Sequence, residues 1–298
     1  MTTPMTAIIG LGAMGQGMAR NILRSGIALK GFDLSDAACA AFMANGGVAC
    51  DTAAEAAQGC DLLLVMVATA NQARAALFDG GVTDTLAPGA VVVLSSTISP
   101  IDARQISAQL ETTGHLLLDA PVSGGQVGAD AGTLTIMASG SQAAFDRAMP
   151  LLNAVSKTVN RLGDTPGMGS TYKVVHQLAA GVHLVAAAEL MALGAKSGCD
   201  PQTLYDIVSG AAGNSWMFSD RAPRMMQADP AVTSTVDIFV KDLGLVIETA
   251  EANGISLPLV ETAFHRLQET QALGLGREDD SAVVRLYEAQ SGKKVHES

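Results

Sequence analysis

Seven lysines serve this chain of 298 residues, and two of them, Lys173 and Lys241, stand inside otherwise apolar helical patterns. Burying an ammonium costs free energy, and beside a second cation its ordinary pKa of about 10.4 falls toward the range of a general base. His176 and Gln177 follow Lys173 at i+3 and i+4, so all three share one helical face. His176 reads either as a substrate or proton-relay contact or as a packed, hydrogen-bonded histidine. A second loaded stretch runs from Asp119 to Gly125, DAPVSGG. There Pro121 stiffens the loop, while Ser123, Gly124 and Gly125 offer a hydroxyl and bare N–H groups to an anion; a plain glycine-rich hairpin turn is the alternative. Asn214, Ser215 and Trp216 follow Gly213 at a helix start, where capping accounts for Asn or Ser and a contact at a pocket mouth is the rival reading.

The elements that must position these residues follow from periodicity. Gly167 to Gly198 carries apolar residues at helical spacing through Val174, Leu178, Val185 and Leu193, which predicts one helix of about 45 Å, long enough to join two domains. Upstream, Thr6 to Ile9 reads as a buried strand followed at once by Gly10, Leu11, Gly12, Ala13, Met14 and Gly15, then by a helical pattern closed at Gly26. This is GxGxxG between strand and helix, the fingerprint that seats a dinucleotide pyrophosphate on a helix N-terminus. Ala28 to Phe32 reads as a second strand ending in Asp33, placed to accept hydrogen bonds from an adenosine ribose. Leu34 supplies no cation for a 2′-phosphate, so NAD is expected over NADP.

Buried strands recur at Asp61 to Val67, Val91 to Leu94 and His115 to Asp119, alternating with helical segments, as in a parallel sheet covered on both faces. Ligands bind beyond the carboxyl ends of such strands, so Ala68 to Gln72, Ser95 to Thr97 and Ala120 to Gly125 are expected to line one crevice; Thr97 reads equally as a helix-start or turn residue. Leu134 to Ala138 and Thr158 to Arg161 are further strands around a helix. Gly and Pro cluster near Gly163 to Gly167, which sets a dinucleotide-binding domain at 1–164 and a helical substrate and oligomerisation domain at 165–298. Every later segment carries a 3.6-residue stripe. The fold class is therefore an α/β Rossmann-type parallel-sheet domain plus an all-α domain, joined by a long interdomain helix.

A net charge of −11 and the absence of any basic cluster beyond Lys293 and Lys294 speak against nucleic acid and against an anionic membrane surface. The longest unbroken apolar run, Leu62 to Ala68, is too short to cross a bilayer. Cys39, Cys50, Cys60 and Cys199 show no metal-ligand spacing, which predicts no metal site and reduced thiols in the cytoplasm.

IIGLGAMGQGMARNI (Ile8 to Ile22), DAPVSGG, GMGSTYK (Gly167 to Lys173) and KDLGLVIETAEANGISLP (Lys241 to Pro258) together resemble the β-hydroxyacid dehydrogenase family, which includes 3-hydroxyisobutyrate dehydrogenases and tartronate semialdehyde reductases. The resemblance implies NAD-dependent oxidation of a short hydroxy acid, with Lys173 as catalytic lysine, Ser123 to Gly125 on the substrate carboxylate, Thr97 and Lys241 beside the nicotinamide, and a homodimer or homotetramer. Where the family commonly has Asn-Asn or Asn-Gln after the lysine, this chain has His176-Gln177. KVVHQLAAGVH and GNSWMF resemble the L-threonate dehydrogenase branch, which implies a polyhydroxylated acid bound by His176, Gln177 and Asn214. Ser170 to Lys173 also spells SxxK, the acylation motif of penicillin-interacting serine hydrolases, but SDN and KTG triplets are absent. A catalytically silent NAD-binding protein is the remaining rival, and retention of Lys173 argues against it.

Overall fold

The computed structural model describes residues 4–297. The chain divides into two compact units, one ending at Lys173 and the next beginning at Val174. Composition alone suggests a border at 164/165; the division falls inside the long helix because the first turn of that helix bonds into the first unit, as described below.

In the first unit β1 (Thr6–Ile9), α1 (Ala13–Arg24), β2 (Leu29–Phe32), α2 (Asp36–Ala44), β3 (Val48–Ala49), α3 (Ala53–Ala57) and β4 (Leu62–Val65) alternate. Then come the short helices α4 (Ala70–Arg74) and α5 (Val82–Thr85), and β5 (Val91–Leu94), α6 (Pro100–Thr112) and β6 (Leu116–Asp119) complete a six-stranded sheet of order β3-β2-β1-β4-β5-β6. All its pairings are parallel. Strand residues alternate between two cores: Ile8, Leu62, Leu64, Val91 and Val93 face one layer of helices, and Ala7, Ile9, Leu63, Val65, Val92 and Leu94 the other. This explains the unbroken apolar runs, since neither face meets water.

Register decides where the loops emerge. Ile9 pairs with Phe32 and Val65, Val65 with Leu94, and Leu94 with Asp119, so the carboxyl ends of five strands finish in one row. Order reverses between β1 and β4, which is the switch point where ligands of such sheets sit. A second sheet follows: β7 (Val122–Ser123) runs antiparallel to β8 (Leu134–Ala138) after helix α7 (Gly125–Ala131), and β9 (Ser156–Arg161) joins β8 in parallel after helix α8 (Gln142–Val155). The hairpin reading of Ser123 to Gly125 gives way to a strand end running straight into α7.

Helix α9 (Met168–Lys196) leads into the second unit, with α10 (Pro201–Ser209), α11 (Trp216–Met225), α12 (Val236–Ala252), α13 (Pro258–Thr270) and α14 (Val284–Ser291). By length and composition alone α9 is long and apolar enough to span a membrane, contrary to what the longest apolar run suggests. Its apolar residues instead build the core of the helical unit, through Val174, Leu184, Val185, Ala188 and Met191. Glycines let neighbours come close: a Cβ at Gly181 would lie 2.5 Å from the Leu243 side chain of α12. A charge network in which Arg221, Asp279 and Asp280 are buried and Asp220 and Arg224 half-buried ties α11 to the segment before α14.

Candidate active site

The glycine loop after β1 meets the demands of a dinucleotide. Gly10 has φ 97°, and a Cβ there would lie 2.3 Å from the carbonyl oxygen of Met66. At Gly12 a Cβ would meet nothing within 4 Å, so the backbone there faces open space. Helix α1 starts without a side-chain cap and without an acid in its first turn, leaving its N–H groups and positive dipole end for an anion. Asp33 accepts from the Leu11 N–H at 2.7 Å with Oδ2 and from the Ser35 N–H at 2.9 Å with Oδ1. A carboxylate has about four acceptor sites, so ribose hydroxyls can still be received, and the same residue holds the glycine loop against β2. Leu34 is 92% exposed and Ala13 is exposed, with Met14 half-buried beside them. These residues fit the group that the fingerprint implies.

The loops after β4 and β5 are tied to each other. The buried Ser96 hydroxyl accepts from the Val67 N–H at 3.1 Å, and Arg74 of α4 reaches Asp102 of α6 at 2.7 Å. The cap of α6 is Ser99, which accepts from the Asp102 N–H, so the helix-start reading of Thr97 is corrected. Thr97 is half-buried in the loop between these anchors. Gln72 has another use than lining a crevice: its Oε1 accepts from the Ala68 and Thr69 N–H groups in a capping box. Ser123 is half-buried at the end of β7, and Gly124 and Gly125 follow with φ 131° and 60°, conformations that suit glycine and bare the backbone at the start of α7.

Asp119 is the hub that motif reading left without a role. It is fully buried, and burial pushes its carboxyl above the usual range against four hydrogen bonds that favour the ion. Oδ2 accepts from the N–H groups of Gly167 at 2.9 Å and Ser170 at 2.8 Å and from Ser139 Oγ at 3.3 Å, while Oδ1 accepts from Ser170 Oγ at 2.7 Å. Ser139 Oγ in turn accepts from the Gly169 N–H at 2.9 Å. A sheet residue thus caps α9, one turn before Lys173. Gly169 permits this approach, because a Cβ there would lie 2.4 Å from the carbonyl oxygen of Met137. Lys173 itself is buried, 7% exposed. The available signal was an acid closing the apolar strand Leu116–Asp119, since a buried carboxylate demands donors.

In the helical unit His176, Gln177 and Lys241 are brought together through Asp242, the residue directly after Lys241. Gln177 Nε2 donates to Asp242 Oδ2 at 2.5 Å, and His176 Nδ1 lies 3.0 Å from Gln177 Oε1. Lys241 Nζ is 2.8 Å from Asp242 Oδ1, at ion-pair distance but outside hydrogen-bond direction. Gln177 and Asp242 are buried and His176 is exposed. Gly181, one turn beyond Gln177, is what lets α12 approach α9 closely enough for this chain of contacts. The Asn214 amide donates to Ser209 O at 3.0 Å and accepts from Ser219 Oγ at 2.8 Å, bracing an exposed turn, while Ser215 caps α11. Among the described residues no cluster of His, Cys, Asp and Glu has metal-holding geometry.

Residues 5–163 match the family profile described as the NAD binding domain of 6-phosphogluconate dehydrogenase, and residues 167–287 that described as the NAD-binding region of NADP-dependent 3-hydroxyisobutyrate dehydrogenase. The L-threonate dehydrogenase of Escherichia coli (strain K12) is 48% identical over 283 residues, 94% of this chain and 93% of its own length. The 2-(hydroxymethyl)glutarate dehydrogenase of Eubacterium barkeri is 36% identical over 289 residues, 96% of either chain. A crystal structure of 3-hydroxyisobutyrate dehydrogenase from Salmonella typhimurium superposes with a TM-score of 0.91 at 50% identity, covering 94% of this chain and 99% of that one.

Proposed function

The chain belongs to the β-hydroxyacid dehydrogenase family, and from that premise we propose that this NAD-dependent enzyme oxidises the 2-hydroxyl of a short polyhydroxylated acid, L-threonate foremost, to the 2-oxo acid. Bound NAD supplies the hydride acceptor. Lys173 Nζ takes the hydroxyl proton during oxidation and returns it during reduction. Ser123, Gly124 and Gly125 receive the substrate carboxylate, Thr97 and Lys241 border the nicotinamide, and His176 and Gln177 bind the hydroxyls beyond the reacting carbon. Asn214 shapes the turn before α11.

The observation that carries the substrate class is the polar series His176, Gln177, Asp242 and Lys241, which supports it because a pocket for an acid bearing only a methyl would favour apolar lining. Sites built to bond hydroxyls reject analogues lacking them by about 10,000-fold, because their own groups are left unpaired. The test compares kcat/KM with NAD on L-threonate, D-erythronate, D-glycerate and 3-hydroxyisobutyrate, in the wild type and in His176→Asn. The solved 50%-identical structure carries the name of a 3-hydroxyisobutyrate dehydrogenase, so preference for that acid is the outcome that would overturn the sugar-acid reading.

The enzyme works as a homodimer or homotetramer. The exposed apolar side chains of Val175, Leu193, Ile207 and Leu259 support self-association, which sedimentation velocity measures directly. Four free cysteines accord with the reducing cytoplasm.

A further inference from the structure

We propose that Asp242, acting through Gln177, sets the tautomer of His176 so that its Nε2 is a hydrogen-bond acceptor for a hydroxyl of the substrate. This deepens the proposed function and rests on it for the identity of the ligand. All four residues of the argument belong to the helical unit.

The inference follows from which atoms can donate. Asp242 is 3% exposed, with the Lys241 ammonium 2.8 Å from one oxygen, and as a carboxylate it only accepts. Gln177 must therefore turn its NH2 toward Oδ2, where it stands at 2.5 Å; the flipped amide would press two oxygens together in a buried site. That choice leaves Gln177 Oε1 facing His176 Nδ1 at 3.0 Å, so Nδ1 must carry the hydrogen. In a neutral imidazole the other nitrogen then has a lone pair and no proton. Donor–acceptor choices thus run in sequence from a buried ion pair to an exposed ring. A group that meets Nε2 of the neutral ring has to donate, which suits a hydroxyl and excludes a carboxylate or an ether oxygen. Asp242 is a positioning residue here.

Asp242→Asn reverses the series. The Lys241 ammonium, 2.8 Å from the Oδ1 position, favours an oxygen there by its charge, so the new NH2 faces Gln177. Gln177 then presents its oxygen to Asn and its NH2 to His176 Nδ1, which becomes an acceptor. The hydrogen moves to Nε2, and the ring edge offered to the substrate changes from acceptor to donor.

The experiment is long-range proton–nitrogen NMR on ligand-free full-length protein labelled with 15N-histidine, at about pH 8, above the ordinary histidine pKa of about 6.5. His176 is identified among the five histidines by loss of its signals in His176→Asn. The expected wild-type pattern is a protonated Nδ1 with a bare Nε2, and Asp242→Asn reverses it. A wild-type ring protonated at Nε2, or an unchanged pattern in a folded Asp242→Asn protein, overturns the assignment. The wild-type spectrum alone decides the first point if the variant does not fold. Adding L-threonate should then move the Nε2 resonance to lower shift as it accepts a hydrogen bond. Turnover of L-threonate with no movement of Nε2 refutes this inference, whereas absence of turnover refutes the sugar-acid reading and leaves the tautomer result standing.

Discussion

Replacing Asp119 tests whether a residue of the sheet governs the start of the helix that carries Lys173. In Asp119→Ala, two backbone N–H groups, those of Gly167 and Ser170, lose their acceptor inside the protein, and the hydroxyls of Ser170 and Ser139 lose theirs. A buried donor left unsatisfied costs about 1–3 kcal/mol, so the two N–H groups alone cost about 2–6 kcal/mol. Asp119→Asn differs in kind. With its oxygen at the Oδ2 position the amide still accepts from both N–H groups, and Ser170 Oγ can rotate its proton away and accept from the new NH2. What is lost is the charge assistance, a drop from about 1.5–3 to about 0.5–1.5 kcal/mol per bond, or about 2–3 kcal/mol over the two N–H bonds. For a unit of this size each kcal/mol moves the midpoint by about 2–4 °C, so Asn should lower the melting temperature of the first unit by roughly 4–12 °C and Ala, which also orphans two hydroxyls, by more, up to roughly 24 °C. Calorimetry on the apo protein measures both. Because Lys173 lies one turn after Ser170, Ala should also cut kcat by about 10- to 100-fold through misplacement of the lysine, and Asn by much less. Equal losses for Asn and Ala, or an Ala variant that melts with the wild type, would refute the capping argument.

Lys173→Ala should bind NAD and melt near the wild type while kcat falls about 100- to 10,000-fold; preserved turnover with altered binding constants alone would point to another base. Asp33→Ala with Leu34→Arg should raise the NADP to NAD ratio of kcat/KM by about tenfold or more, since it removes a repelling carboxylate and supplies a cation, and a wild type more efficient with NADP would contradict the assignment. Burial opposes the ionised form of Asp279, but hydrogen bonds from Thr233 and Ser281 and the charge of Arg224 outweigh it and hold the carboxyl below its usual range. A depressed acid stabilises the fold above its unfolded pKa of about 3.9, and that contribution fades as pH falls through the lower folded value, so the helical unit should lose midpoint temperature on acidification below about pH 4. Asp279→Asn should flatten that acid limb in melts between about pH 2 and 5.

Much of this protein is written in its sequence because the relevant forces are local. Strands buried on both faces must be apolar throughout, as at Leu62–Val65 and Val91–Leu94, and a turn that brings Gly10 against the carbonyl of Met66 admits only glycine. The 29-residue span of α9 follows likewise from an uninterrupted helical period. Periodicity is blind to partners distant in the chain. Asp119 and Ser170 are 51 residues apart and Gln177 and Asp242 are 65 apart, so only folding shows that one carboxylate caps a helix and another orients an amide. Nor does residue type say how a polar side chain is used: Gln72 and Asn214, equally suited to bind a hydroxyl, bond their own backbone neighbourhood, while Gln177 is buried against Asp242. A polar group's role is settled by which donors and acceptors surround it once water has been excluded. That arrangement is a property of the tertiary structure alone.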